Sequence, residues 1–428
     1  MIRRPSINWV ADMLILILER RLLWAGPEGS WWYDDAFAWV TGFLVLTWLA
    51  WLFVRRYLQV RALRRRPPRR INYRLLKRTA KIKRELSAQY LRPGFSASIH
   101  AVGIGMLASG NYCIQVFIND ARLWASSGVT LPSTYRGVPL LVIEMPTAVS
   151  LSEEGVASPA SCDKYPKGIR EYQEVIIGGI SGANTNLANE SGTIGYFCTR
   201  RSKIPCRKEI HMLSNWHVFG NPPRAKVEQS DLIMQPSPGE PGTNRPVGTL
   251  VDFLPLKFDG DIDEPNHVDA AVAKLWAPFK HKPVIPLIGA VKGYVERKDV
   301  QIGEAACKFG RTTGYTEGHV FSICLDIWIR YARAGQSAFF QDQFLIEPDL
   351  PRFTKFVSGG DSGSLVVDEQ QHAIGLIFAG MDELPESLLT SRAIETSADV
   401  EKLKRVEGYG VANPISEVLD RLKIDLVI

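Results

Sequence analysis

From residue 176 to 290, and again from 300 to 380, apolar residues come in short runs broken by glycine- and proline-bearing turns. Runs of this length match strands joined by tight turns. The pattern predicts a mainly β chain. With 428 residues and 46% AVILMFWYC against 22% charged, it can bury a sizeable core and is neither largely disordered nor a multi-span membrane protein. Six cysteines in this length also exclude a small disulfide-stapled fold.

The first seventy residues have a different texture. Residues 36–54, AFAWVTGFLVLTWLAWLFV, carry no charge. A helix needs about 20 apolar residues to cross a bilayer core of about 30 Å. Trp31, Trp32 and Tyr33 stand where an interfacial aromatic belt belongs, and Arg55 and Arg56 end the run. It starts too late for a signal peptide and is followed by arginines. The expectation is a membrane anchor over 1–70 with one transmembrane helix at 36–54. The excess of arginine behind the span would leave the following domains cytoplasmic and the protein single-pass in the cell membrane. Residues 55–84 hold 14 Lys or Arg and no acid, so a formal net charge of +6 leaves −8 for everything else. Membrane lipid is the expected partner of residues 36–70, at about 1 kcal/mol per basic charge near the surface. The acidic remainder speaks against a large nucleic-acid surface.

Asn72 is a candidate N-cap for a helix over 73–91. Leu75, Thr79, Ile82, Leu86 and Tyr90 form its apolar stripe, and Pro93-Gly94 ends it. Residues 101–106, 112–118 and 140–144 read as strands, the first two joined by a turn at Gly110-Asn111. Residues 71–150 are therefore expected as a small α/β accessory unit before a main domain over 151–428.

Residues 357–367, VSGGDSGSLVV, set Ser362 in a glycine-rich turn between two strand-like runs. A serine hydroxyl is a weak nucleophile unless a base takes its proton. Acyl chemistry also needs N–H groups aimed at the developing oxyanion. Gly360, lacking a Cβ, can turn its N–H inward beside that of Ser362. His217, in MLSNWHVFG at 212–220, follows a short apolar strand and is the candidate base. Asp269, in HVDAAVAKLW at 267–276, opens a buried-looking strand, where a carboxylate is costly unless paired. Each alone has an ordinary reading: a tight turn, a surface or core histidine, a strand-start aspartate. In the order His217, Asp269, Ser362, each at the edge of a β run, they make a candidate triad.

That combination resembles the trypsin-like, chymotrypsin-fold serine peptidases, which share the order. The likeness is stronger to their bacterial and plant sub-group. It rests on GGISGANTNLANESGTIGYF at 178–197, LSNWHV at 213–218, CKFGRTTGYTEGHV at 307–320, GGDSGSLVVD at 359–368 and ANPISEVLDRL at 412–422. The glycine-rich stretch 97–150 is similar to a domain that often precedes the peptidase there, so the likeness spans about residues 97–428. It implies two antiparallel six-stranded β-barrels with the active site between them. GRTTGYTEGHV would open the second barrel, and a helix at 415–423, with Ile415, Val418, Leu419 and Leu422 on one face, would close the chain.

The resemblance also implies roles. Ser362 would attack a peptide carbonyl, His217 would shuttle its proton, Asp269 would orient the imidazole, and the N–H groups of Gly360 and Ser362 would bind the oxyanion. Phe356, six residues before the nucleophile, would form the base of the primary pocket. Phe378, Ala379 and Gly380, in LIFAG at 376–380, would supply its wall and the strand that pairs with substrate. A small or medium apolar residue is expected before the cleaved bond of a protein or peptide substrate. No cofactor or metal is implied, since neither HExxH nor CxxC occurs. In secreted relatives the aspartate matching Asp361 pairs with a new N-terminus after activation. No such activation site is evident here, so another means of ordering the turn is expected, with 97–150 a candidate for its control. Cys198 and Cys206, and Cys307 and Cys324, lie across hairpins and are expected as thiols in the cytoplasm. The alternatives are a catalytically latent binding or scaffold protein at the membrane, and a membrane–nucleic-acid tether acting through 55–84.

Overall fold

The computed structural model describes residues 46–51, 72–93, 98–151, 168–187, 190–201, 209–220, 226–228, 231–331, 335–381 and 408–428. Residues 63–428 form one compact unit, and the fold below belongs to it. Of residues 1–62 only 46–51, which are helical, are described. The rest of the expected span at 36–54, like the basic run at 55–70, lies outside the described residues. No helix among the described residues is long and apolar enough to cross a membrane. A helix rises about 1.5 Å per residue and needs about 20 apolar residues to cross a bilayer core of about 30 Å. The assignment to the cell membrane as a single-pass protein is corrected on that finding.

The architecture is mainly β, and the described residues form two large sheets. The first has seven strands in the order Ile424–Leu426, Tyr196–Arg200, His211–Ser214, Ala271–Leu275, Arg245–Phe253, Leu232–Gln235 and Ala183–Asn184. The second has twelve, running Ala305–Gly310, Leu365–Val367, His372–Gly380, Gly410–Pro414, Gln336–Pro348 and Gly314–Tyr331 before continuing into Ile99–Met106 and Tyr112–Ile118. Ala305–Gly310 also pairs with Gly314–Tyr331, so the first six strands of this path close on themselves. The sheets thus differ from the expected pair of six-stranded units. The terminal strand Ile424–Leu426 extends one, and strands from 99–150 extend the other.

The long strand Gly314–Tyr331 makes that extension possible. Its burial alternates along the first half, as a strand with one face inward must. Its register then shifts between Val320 and Ser322, Ser322 and Leu325, and Leu325 and Ile327. Cys324 there has a φ of 49°, uncommon for a residue other than glycine. Such bulges bend a strand and sharpen its twist. The first half closes the six-strand ring, and the second half offers an edge to Ile99–Met106, with Ala101 opposite Ile327 and Ile104 opposite Ile323.

The helix Tyr73–Tyr90 forms where its stripe predicts, and the Asn72 side chain caps Leu75 N–H at 3.1 Å. Thr79, Ile82, Leu86 and Tyr90 are buried, while Leu75 stays exposed in the first turn. The stripe lies against Val102, Ile114 and Val116. Lys83 on the same helix is fully buried and meets Asp326 at 2.6 Å, tying the helix to the bulged strand. The closing helix is Ile415–Arg421, with Ile415, Val418 and Leu419 inward. Phe197, Met212 and Val272 from the first sheet and Ile327, Phe340 and Phe378 from the second belong to one buried cluster, so the two sheets share a core. Cys113, Cys198, Cys307 and Cys324 are free thiols, and Cys206 lies outside the described residues. Burial pushes the Cys307 and Cys324 thiols up to about 11.

His100 lies within the strand Ile99–Met106, and burial pushes its imidazole down to about 4. Its folded pKa lies below its unfolded value, so the unfolded chain binds the extra proton first. Stability should be full above about pH 6.5 and fall by about 1.4 kcal/mol per pH unit towards pH 4. Urea unfolding midpoints across that range would check this, with a His100→Asn variant giving the shallower dependence.

Candidate active site

Ser362 sits in the turn between Val357 and the strand Leu365–Val367, and is buried. The turn needs glycine at Gly360. Its φ is 88°, and a Cβ there would lie 2.4 Å from Thr312 Oγ1 and 2.7 Å from Arg311 Nη1. Neighbouring segments clamp the turn: the Thr193 hydroxyl donates to the Gly360 carbonyl at 2.9 Å, and Thr193 N–H to the Ser362 carbonyl at 2.9 Å. Gly363 N–H donates to the Ile377 carbonyl at 2.9 Å.

His217 belongs to the single helical turn Trp216–Phe219, which follows the strand His211–Ser214. Its Nδ1 lies 2.5 Å from Asp269 Oδ2, and its Nε2 lies 2.7 Å from Ser362 Oγ. An ionised carboxylate only accepts, so Nδ1 carries the proton and Nε2 is left to accept from the serine hydroxyl.

Asp269 is fully buried just before the strand Ala271–Leu275. A buried carboxylate is costly unless hydrogen-bonded. Its Oδ1 accepts from the backbone N–H of Trp216 at 2.7 Å and of His217 at 3.3 Å. Its Oδ2 accepts from Tyr331 Oη at 2.7 Å as well as from the imidazole. Burial, and then the Asp269 charge, push the Tyr331 hydroxyl well above its usual pKa, which keeps it a donor. The Asp269 backbone is held as firmly: its N–H donates to Asn413 Oδ1 at 3.1 Å, and its carbonyl accepts from Asn215 Nδ2 at 2.8 Å and Asn413 Nδ2 at 3.1 Å.

The Asp361 side chain meets Lys308 Nζ at 3.0 Å, with both groups fully buried. It also accepts from Thr312 N–H at 2.9 Å, Thr313 N–H at 3.1 Å, Ser358 N–H at 3.0 Å and the Thr313 hydroxyl at 2.6 Å. Burial alone would raise the Asp361 carboxyl, but the Lys308 ammonium and these donors hold it below its usual range. An internal ammonium therefore pairs with the aspartate of the turn, from the hairpin formed by Ala305–Gly310 and Gly314–Tyr331.

The residues expected around the pocket fall into two groups. Phe356 is fully buried and packs in a core cluster with Val320, Ile346 and Val357. The Phe378 ring stands 4.7 Å from the Phe340 ring, inside the shared core, while its carbonyl lies 3.3 Å from Ser362 Oγ. Ala379 and Gly380 contribute backbone, paired with Ser150 and Val149. Sequence reasoning missed Tyr331, Asn413 and Lys308. Asn215 stands two residues before His217, in the same motif, and was legible in principle. Tyr331 and Asn413 lie 62 and 144 residues from Asp269, and no local pattern marks them.

No family model matches this sequence, and no curated protein matches it. Several solved structures do. Thermobifida fusca Protease A is similar over 59% of this chain and 98% of its own, at 16% identity and a TM-score of 0.35. Nocardiopsis protease is similar over 59% of this chain and 99% of its own, at 15% identity and a TM-score of 0.35. Cellulomonas bogoriensis chymotrypsin matches 59% of this chain and 98% of its own, at 15% identity and a TM-score of 0.33.

Removing Lys308 should strand a buried carboxylate. Lys308→Met is expected to cost about 3–5 kcal/mol of stability, and Lys308→Met with Asp361→Asn to recover part of it. Tyr331→Phe removes one hydrogen bond to a charge, at about 1.5–3 kcal/mol. Chemical denaturation of the three variants would check the ranking.

Proposed function

We propose that this chain is a serine endopeptidase of the trypsin-like kind, acting through His217, Asp269 and Ser362. The observation that carries the reading is the single imidazole bridging a buried carboxylate and a serine hydroxyl, at 2.5 and 2.7 Å. Ser362 Oγ attacks the scissile carbonyl while His217 Nε2 takes its proton. Asp269, held by Tyr331 and by backbone N–H groups, keeps the imidazole in the tautomer that accepts and stabilises its protonated form. Gly360 and Ser362 N–H groups bind the oxyanion. The imidazole then gives its proton to the leaving amine, and water releases the acyl group. Phe356 and the segment 378–380 shape the primary pocket, which takes an apolar side chain.

In this reading residues 151–428 are the peptidase, built on two barrels that grew by added strands. Residues 71–150 are an accessory unit joined to it through the edge of Gly314–Tyr331. The substrate is protein or peptide, and the chemistry needs no cofactor.

A fluorophosphonate probe should label wild-type protein at Ser362, and neither Ser362→Ala nor His217→Ala should be labelled. Turnover of a peptide substrate should fall on the order of 10⁶-fold in Ser362→Ala. A folded wild-type protein that takes no label at Ser362 and cleaves no peptide would leave a latent scaffold as the better reading.

A further inference from the structure

The strand edge assigned above to substrate is already covered by this chain. Residues 148–151 run extended beside it. Val149 and Ser150 pair antiparallel with Gly380 and Ala379, and Leu151 N–H meets the Phe378 carbonyl at 3.4 Å. On the other side, Arg330 N–H donates to the Ala148 carbonyl at 3.0 Å. Most telling is the Leu151 carbonyl, which accepts from Gly360 N–H at 2.7 Å. That N–H is the donor the proposed mechanism reserves for the oxyanion.

The serine stands beside the same group. The Phe378 carbonyl is shared by Ser362 Oγ at 3.3 Å and Leu151 N–H at 3.4 Å. The Leu151 carbonyl carbon is two bonds from its own nitrogen, and its oxygen lies on Gly360. Nucleophile and oxyanion donor thus both stand beside the Leu151 peptide unit, one through the shared Phe378 carbonyl and one by a direct hydrogen bond. The side chain fits as well. Leu151 is 2% exposed and packs with Phe356 and Val357. A Cβ on Gly380 would come within 3.0 Å of Leu151 Cδ2, so the missing side chain at Gly380 is the room that Leu151 uses. An extended segment adding to a sheet edge, with one side chain in a pocket, is how strands are recognised as ligands.

We propose that the chain is its own substrate, and that Ser362 cleaves the bond between Leu151 and Ser152. The inference rests on the triad reading above. Ser362 Oγ bonds to the Leu151 carbonyl carbon and its proton passes to His217 Nε2. The bond from that carbon to the Ser152 nitrogen breaks, and the imidazole returns the proton to the departing amine. Water then attacks the ester, freeing Ser362 and leaving Leu151 with a carboxylate. The segment is tethered, so its effective concentration is on the order of millimolar and the rate does not depend on protein concentration. Until the bond is cut, Leu151 denies the cleft to other substrates.

The test incubates full-length wild type, Ser362→Ala, Leu151→Met and Leu151→Ala at two concentrations. Intact mass and N-terminal sequencing are followed with time, beside fluorophosphonate labelling and hydrolysis of a leucine-containing peptide in trans. Fragments ending at Leu151 and beginning at Ser152 are expected in wild type and Leu151→Met, with one half-time at both concentrations. They should be absent in Ser362→Ala and slowed about 10- to 200-fold in Leu151→Ala. If Ser362 labels or the peptide is cut while the 151–152 bond stays intact, self-cleavage is wrong and the triad reading stands. A half-time that shortens with concentration overturns the intramolecular route. Neither label nor cut in folded wild type removes the triad reading and this inference together.

Discussion

Everything around Ser362 depends on one carboxylate that has no solvent to satisfy it. Asp269 is fully buried, and its oxygens are met by Trp216, His217 and Tyr331. Those groups come from the helical turn Trp216–Phe219 and from the end of the long strand Gly314–Tyr331, while Asn215 and Asn413 clamp the Asp269 backbone. Removing the partner of a buried charge costs about 3–5 kcal/mol, more than a surface contact returns. Each segment is therefore held in place by the same requirement, and the imidazole is aimed at Ser362 as a consequence.

A second buried charge orders the turn that carries the serine. Asp361 takes an ammonium from Lys308 and backbone N–H groups from Thr312, Thr313 and Ser358. This turn is thus assembled from within the domain, by a hairpin already paired to the Leu365–Val367 strand. Assembly of the turn and access to it are separate matters. The Leu151 carbonyl lies on Gly360 N–H, so the proposed oxyanion site is formed and filled at the same time.

The long strand links the two. Its bulges between Val320 and Ile327 let one strand close a six-strand ring and still offer an edge to Ile99–Met106. The strand Val138–Glu144 ends there, and a few residues later the chain lies against Phe378–Gly380. The strands over 99–144 thereby deliver their own continuation to the edge of His372–Gly380. Had the strand stopped at Val320, Ile99–Met106 would have no edge there to join.

Much of this was legible in the residues. The apolar stripe at 75–90, the cap at Asn72, the strand 112–118 and the closing helix all follow from periodicity, because each is set by neighbours within a few residues. His217, Asp269 and Ser362 were legible because their motifs are local, although the distances among them were not. Strand number was not legible: pairing to an edge is decided by what arrives there, and the count among the described residues is seven and twelve. The anchor at 36–54 is the other divergence, for an uncharged run of sequence is not itself a membrane-crossing helix, and none is found among the described residues. The sequence by itself determined the mainly β class and the residue types that can perform acyl chemistry, since backbone preference and side-chain chemistry travel with each residue. Only the tertiary structure decided that Lys308 answers Asp361, that Tyr331 and Asn413 brace Asp269, and that the Leu151 carbonyl lies on Gly360 N–H. Those contacts join residues far apart in the chain, where the need to satisfy buried polar groups, rather than any local pattern, chooses the partner.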